Sequence, residues 1–264
     1  MTIALTDQRT TRDSAGLRQA MRAEWTKMTT LRSTKWTVGA MIAGTALVTY
    51  LSTNSALGHP RQWYQGFDAT NQALSGLFFA SLVVGVFGAL AVTGEYGTGT
   101  IRSSLAAVPR RDTFFAAKAI VVGAATLVVG ELLAFMAFFE GQAVLSGGAT
   151  TATLGQPGVL RAVVLSGAFL ALLALFALGI GIAVRHTAGA IATYVGCTVL
   201  FTILAQRLSH DVSKFAPDNI YANSVAAVAH QPDALSATMG FLVMCLYAVA
   251  ALGIGAAVLL RRDA

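Results

Sequence analysis

The amino-acid sequence predicts an all-α membrane protein with six transmembrane helices, preceded by an amphipathic helix that lies along the membrane surface. Its 264 residues are 55% hydrophobic and only 11% charged, less than half the charged share of about 25% usual in soluble domains. Six apolar runs each approach the roughly 20 residues needed to cross a hydrocarbon layer about 30 Å thick. The 18 lysines and arginines cluster in segments flanking those runs or at their ends, and segregate by side.

Residues 1–16 are polar and Thr-rich without periodicity, which suits a mobile tail. No apolar stretch follows the start, as a cleavable signal requires. The remainder, 17–264, reads as one transmembrane domain. Leu17, Met21, Trp25, Met28 and Leu31 recur at helical spacing, with Arg18, Arg22, Lys27, Arg32 and Lys35 on the flanks or the opposite face. That pattern predicts an interfacial helix over 17–35, with Trp25 at headgroup level.

The apolar runs follow at Trp36–Ser52, Leu74–Gly94, Phe114–Phe139, Val159–Val184, Ala188–Ala205 and Ala237–Leu260. The third is long enough that its first turn, with Lys118, lies in the interface. Only Arg185, His186 and Thr187 separate the fourth from the fifth, which predicts a tight helical hairpin. Gly85 and Gly88, and Gly179 and Gly181, are small residues that let helices approach closely. Among the connections, Gln206–Ser236 differs from Thr53–Ala73 and Gly141–Gly158. Phe215, Ile220, Tyr221, Val225 and Val228 alternate there with Pro217, Asn219, Asn223 and Pro232. Two readings stand for it: a short helix dipping into the outer leaflet under protein cover, or an exposed amphipathic loop helix.

With six crossings, Arg9, Arg12, Arg18, Arg22, Lys27, Arg32, Lys35, Arg102, Arg110, Arg111, Lys118, Arg185, Arg261 and Arg262 share one side. Only Arg61, Arg161, Arg207 and Lys214 lie on the other. The bias of cations toward the cytoplasm therefore places both termini inside. A miscount by one helix would destroy this separation. The net charge of +6 is accounted for by anionic headgroups beside the spans, and no separate basic domain exists to hold nucleic acid.

Chemistry-bearing motifs are sparse. No GxxxxGK[ST] phosphate loop occurs. Leu145–Gly148 spells LSGG, but it stands in a short loop facing outward, where a Gly/Ser turn after a helix explains it. His59, His186, His210 and His230 are scattered without metal-ligand spacing. Cys197 and Cys245 lie inside apolar runs, where small packing residues are the simplest reading. Catalytic, cofactor-binding and metal-ligating residues are accordingly expected to be none. Glu131, deep in the third run, and Glu140 near its outer end are the exceptions. A carboxylate at that depth costs about 2.5 kcal/mol or more, so Glu131 should face the bundle interior or a wet cavity. It reads either as a substrate or proton site or as a helix-joining polar group.

The whole chain is organised around 95–118, EYGTGTIRSSLAAVPRRDTFFAAK, a polar and basic stretch between two apolar runs. Gly97 and Gly99 can take positive φ without steric cost, and Pro109 stops a helix. The run Glu95, Tyr96, Gly97, Thr98, Gly99, Thr100, Ile101, Arg102, followed by Leu105, Ala106, Pro109, Arg110, Arg111 and Lys118, resembles the cytoplasmic loop of ABC-2 type permeases. These are the membrane subunits of ABC exporters. The basic Trp25–Lys35 segment, the six-span layout and the longer outward segment before the sixth span extend the likeness over nearly the whole chain.

That resemblance implies a half-transporter that pairs with a second permease subunit, most simply as a homodimer, and with two copies of a separate ATPase that binds ATP and Mg. In the family the loop after the second span carries a coupling helix that docks on the ATPase, and the helix before the first span also touches it. Carried onto this chain, Glu95–Arg102 shapes the elbow and Ser103–Arg111 the docking surface. Trp25, Lys27, Arg32 and Lys35 mark the interfacial helix, and Arg185 and His186 are candidates for a smaller contact. The expected setting is a bacterial plasma membrane, with export as the activity. The rival readings are a secondary transporter coupled to an ion gradient through Glu131, and a membrane sensor or scaffold without cargo.

Overall fold

A computed structural model describes residues 16–57, 67–227 and 234–261 of the chain, with the side chain of His210 excepted. Arg9, Arg12, His59, Arg61, Val228, His230, Pro232 and Arg262 lie outside the described residues, as does the N-terminal tail. Within the described residues all regular structure is helical. Five helical stretches are long and apolar enough to cross a membrane: Ala69–Thr98, Arg111–Leu145, Val159–Val184, Thr187–Leu208 and Ala237–Arg261.

Helix α1 spans Leu17–Thr30 and α2 spans Arg32–Leu57. Leu31 between them is extended, with φ −69° and ψ 127°. Arg32 and Lys35, expected on the first helix, therefore sit in the opening turn of the second. The physical reason is local: the Thr29 and Thr30 hydroxyls donate back to carbonyls of Trp25, Thr26 and Lys27, and hydroxyl back-bonding of this kind bends or weakens a helix. The amphipathic helix thus ends before the break, and a separate helix begins.

Although α2 has 26 residues, it is not among the five most apolar stretches. Its buried face is Met41, Thr45, Thr49 and Thr53, so threonines dilute its hydropathy. They serve packing instead. Thr49 Oγ1 donates to Ala73 O at 3.4 Å, and a Cβ on Gly76 would meet Thr49 Oγ1 and the Thr45 carbonyl.

The next stretch is composite. Asp68 caps α3 (Ala69–Ala73), accepting from Thr70 N at 2.9 Å and Asn71 N at 3.0 Å, the usual device for orphan amides at a helix start. A 3₁₀ turn, Leu74–Gly76, leads into α4 (Leu77–Thr98). After Gly99 and Thr100 comes the short α5 (Ile101–Ala107), then α6 (Arg111–Leu145) with 35 residues. At about 1.5 Å per residue, α6 is roughly 52 Å long and outreaches a 30 Å hydrocarbon layer. Leu145 ends it, and Ser146–Gly148 form a turn.

Helix α7 (Val159–Val184) is the centre of the bundle, packed against α4, α6 and α12 (Ala237–Arg261). Glycines set those contacts. A Cβ on Gly88 would lie 2.2 Å from Ala174 O, one on Gly85 would strike the Tyr194 ring, one on Gly179 would meet the Ala251 backbone, and one on Gly181 would crowd Val92. The pairs singled out from sequence are thus points of close approach, to neighbouring backbone at Gly88 and Gly179 and to a side chain at Gly85.

Arg185, with φ 60°, turns the chain after α7. His186 Nδ1 then accepts from Gly189 N at 3.2 Å to start α8 (Thr187–Val195). A π-helical turn, Gly196–Leu200, joins α8 to α9 (Phe201–Leu208). Tyr194 anchors this stretch on α4 by donating to Ser81 O at 2.7 Å. Two short helices follow, α10 (His210–Ser213) and α11 (Pro217–Val225). Ile220 and Val225 of α11 are buried.

At that end of the bundle the connections are tied together. Asp68 Oδ2 accepts from Ala227 N at 2.8 Å, Arg161 donates to Ala226 O at 3.1 Å, and Gln142 donates to Ala69 O at 3.1 Å. Cys197 and Cys245 are free thiols.

Candidate functional site

At the opposite end, where α4, α5 and α6 meet, four charged side chains converge. Lys118 Nζ, on the second full turn of α6, donates to Glu24 Oε2 at 2.5 Å, Glu95 Oε1 at 2.8 Å and Ala91 O at 3.1 Å. These three bonds use all three protons of the ammonium. Lys27 Nζ completes the cluster, reaching Glu24 Oε1 at 2.8 Å, Glu95 Oε1 at 3.2 Å and Ser104 Oγ at 3.0 Å. Two cations and two carboxylates thereby join α1, the last turn of α4, α5 and α6 in one neutral knot.

Burial gives the knot its weight. The side chains of Lys118, Glu24 and Glu95 are 2%, 10% and 14% exposed, whereas that of Lys27 is 42% exposed. An unpaired ammonium in such a place costs several kcal/mol, so Lys118 is tenable only with both carboxylates beside it. Lys118, expected with the first turn of the third apolar run in the membrane interface, turns into the protein. Its ammonium is inside the protein, 5.2 Å from the Phe114 ring centroid. At Lys27, burial pulls the pKa down, but the Glu24 and Glu95 carboxylates outweigh it and hold the group above the usual lysine value.

The expected elbow divides by exposure. Glu95 and Tyr96 are half-buried, and Ile101 is buried. Gly97, Thr98, Gly99, Thr100, Arg102, Pro109 and Arg110 are exposed. Gly99 takes φ 72° and closes α4, its N–H donating to Tyr96 O at 3.2 Å. Gly97 is an ordinary helical residue with open space around it. Only one of the two glycines therefore uses its left-handed freedom. Helix α5 is two-faced: Ile101 and Leu105 turn toward the core cluster, while Arg102, Ser103, Ala106 and Ala107 point outward.

Two arginines secure this end to the last helix. Arg111 Nη1 donates to Leu259 O at 2.9 Å, and Arg185 Nη2 donates to Val258 O at 3.2 Å, which satisfies carbonyls that the end of α12 leaves open. The Arg185 guanidinium also lies 5.3 Å from the Tyr96 ring centroid, within cation–π range. Arg111, expected on the docking surface, is half-buried and bonded to α12. Arg110 remains exposed, 3.4 Å from Asp112.

Glu24 was not identified from sequence. Its signal was present: it is the one acidic residue in a basic amphipathic helix, on the face shared with buried Ala20. Trp25 lies on another face, half in solvent, and Arg32 and Lys35 are exposed at the start of α2. Glu131 stands apart from the knot. It is half-buried in α6, with its side chain against Gly167 of α7.

A family model described as ABC-2 family transporter protein matches residues 20–205. No curated protein matches the chain.

Proposed function

Because the chain belongs to the ABC-2 family of transporter proteins, we propose that it is the membrane-spanning permease subunit of an ATP-driven exporter, coupled to a separate ATPase. The carrying observation is the knot of Glu24, Lys27, Glu95 and Lys118. A force applied to the 97–110 surface needs a stiff route into the bundle; these ion pairs tie α1 to the adjoining ends of α4 and α6, and the Lys27–Ser104 hydrogen bond adds α5. The ATPase meets the exposed face of α5, chiefly Arg102, Ser103, Ala106, Pro109 and Arg110. ATP and Mg belong to the partner.

In this reading α2 is a sixth span despite its threonines, since 26 residues suffice to cross and the Thr49 and Thr53 hydroxyls bond within the protein. The termini and α5 then face the cytoplasm of a bacterial cell, and two copies of the chain work with two ATPase subunits. An apolar groove of about 690 Å³ between α7, α9 and α12, with Phe176, Leu200, Phe201 and Ile254 in its walls, favours a hydrophobic or amphipathic cargo.

Co-purification tests the proposal. With residues 102–111 replaced by a Gly/Ser linker, the ATPase should be lost while the chain still inserts in the membrane. Labelling of Arg110 from outside the cell would overturn it. An ion-gradient mechanism remains attached to one observation, the half-buried Glu131 carboxylate in α6. Transport that persists without any ATPase and collapses in Glu131→Gln would favour that mechanism.

A further inference from the structure

On the side of α1 away from the ion knot, a groove of about 490 Å³ runs between α1 and α6. Arg18 and Arg22 stand at its mouth one helical turn apart, and Ile120, Val121 and Ala124 form its floor. Both arginines are exposed, and neither makes an ion pair among the described residues. The nearest carboxylate on their own helix, Glu24, faces the other way and is held by Lys27 and Lys118. On α6 the floor residues carry no charge. Trp25 borders this groove and also a second cavity of about 160 Å³, whose walls include Met41, Val84 and Leu170.

We propose that this groove holds one anionic glycerophospholipid, its phosphate between Arg18 and Arg22 and an acyl chain along Ile120, Val121 and Ala124. The assignment rests on the reading above that this end of the bundle faces the cytoplasmic leaflet. Charge complementarity selects the occupant. Two guanidinium groups at i and i+4, neither ion-paired among the described residues, present N–H donors to a phosphate, whereas a choline headgroup would bring a third cation beside them. The apolar floor selects against an acidic peptide, whose backbone amides would be left without partners there. A lipid satisfies both halves of the groove at once and braces α1 against α6 from the side opposite the knot.

The test is native mass spectrometry of the full chain, purified in mild detergent and offered phosphatidylglycerol or phosphatidylcholine. One phosphatidylglycerol per chain should be retained about tenfold more strongly than phosphatidylcholine, the order expected of a charge-assisted pair. Arg18→Gln with Arg22→Gln should abolish the preference. Ala124→Trp, which fills the floor and leaves both arginines, should lower retention of phosphatidylglycerol. Equal retention of the two lipids by the unaltered chain overturns the proposal, as does undiminished preference in the double variant. Competition by glycerol phosphate as effective as that of the lipid also overturns it, since the floor would then contribute nothing. Retention does not depend on ATPase binding, so its failure is distinguishable from failure of the permease reading.

Discussion

Lys118 Nζ lies 2.5 Å from Glu24 Oε2, across 94 residues of sequence. The pair fastens the amphipathic first helix to the start of α6 at a depth where the ammonium is almost wholly removed from solvent. Lys118→Met should destabilise the protein by about 3–5 kcal/mol, because two carboxylates then share only Lys27. Thermal unfolding in detergent measures the loss. In a double-mutant cycle with Glu24→Gln, the coupling should fall within about 0.5–3 kcal/mol, and additivity within error would refute the pairing.

Gly99 and Gly97 should respond differently to alanine. Gly99 has φ 72°, where a Cβ costs roughly 1–2 kcal/mol. Gly97 is helical with nothing within 4 Å of a built Cβ, so alanine there should be neutral or stabilise by up to about 1 kcal/mol. Unfolding midpoints of the two variants check this. A larger loss at Gly97 would mean that the elbow bends at the wrong residue.

The same comparison applies inside the bundle. A Cβ at Gly88 would meet the Ala174 backbone carbonyl at 2.2 Å, whereas Gly253 has open space. Gly88→Ala should cost about 1–3 kcal/mol by forcing α4 from α7, and Gly253→Ala should be tolerated. Expression level and unfolding temperature read the contrast, and equal behaviour would contradict the packing.

The outward and inward residues of α5 are separable by partner binding. Arg102→Glu changes the charge of an exposed side chain. It should weaken ATPase co-purification at least severalfold with little change in stability, as for surface substitutions within about 0.5 kcal/mol. Leu105→Ala, on the face toward the core, should lower stability first. A partner that binds Arg102→Glu undiminished does not use this face.

Asp218, near the start of α11, has its carboxyl pushed up to about 6 by burial. A folded-state pKa above the unfolded value means that the native state holds the proton more tightly. Stability should therefore fall as pH rises from about 4 to about 6. Asp218→Asn should remove that part of the slope and raise the unfolding temperature at pH 7 relative to the unaltered chain. An identical pH profile for both proteins would show the carboxyl to be solvated.

The spans were largely legible because length and apolarity are local properties, read against the fixed thickness of hydrocarbon. The Val159–Val184 boundaries agree at both ends, and the Arg185 hairpin follows from the scarcity of residues between two apolar runs. The Thr45, Thr49 and Thr53 stripe was harder to interpret. In sequence it only lowers hydropathy, and its packing role needs the backbone around Gly76 beside it. Likewise, Arg111 looked available to a partner until α12 brought the Leu259 carbonyl to it.

What the chain's sequence determined alone was the helical class, the positions of the apolar segments and the polar elbow between two of them. Tertiary structure decided which charges meet. Each residue advances a helix by about 100°, so a small change in helix rotation redirects a side chain, and the neighbour it finds belongs to a distant segment. Glu24 and Lys118 each look like a lone charge in one dimension. They become a knot because α1 turns its Ala20 and Glu24 face to Lys118, while Arg18 and Arg22 stand at the groove on its other side.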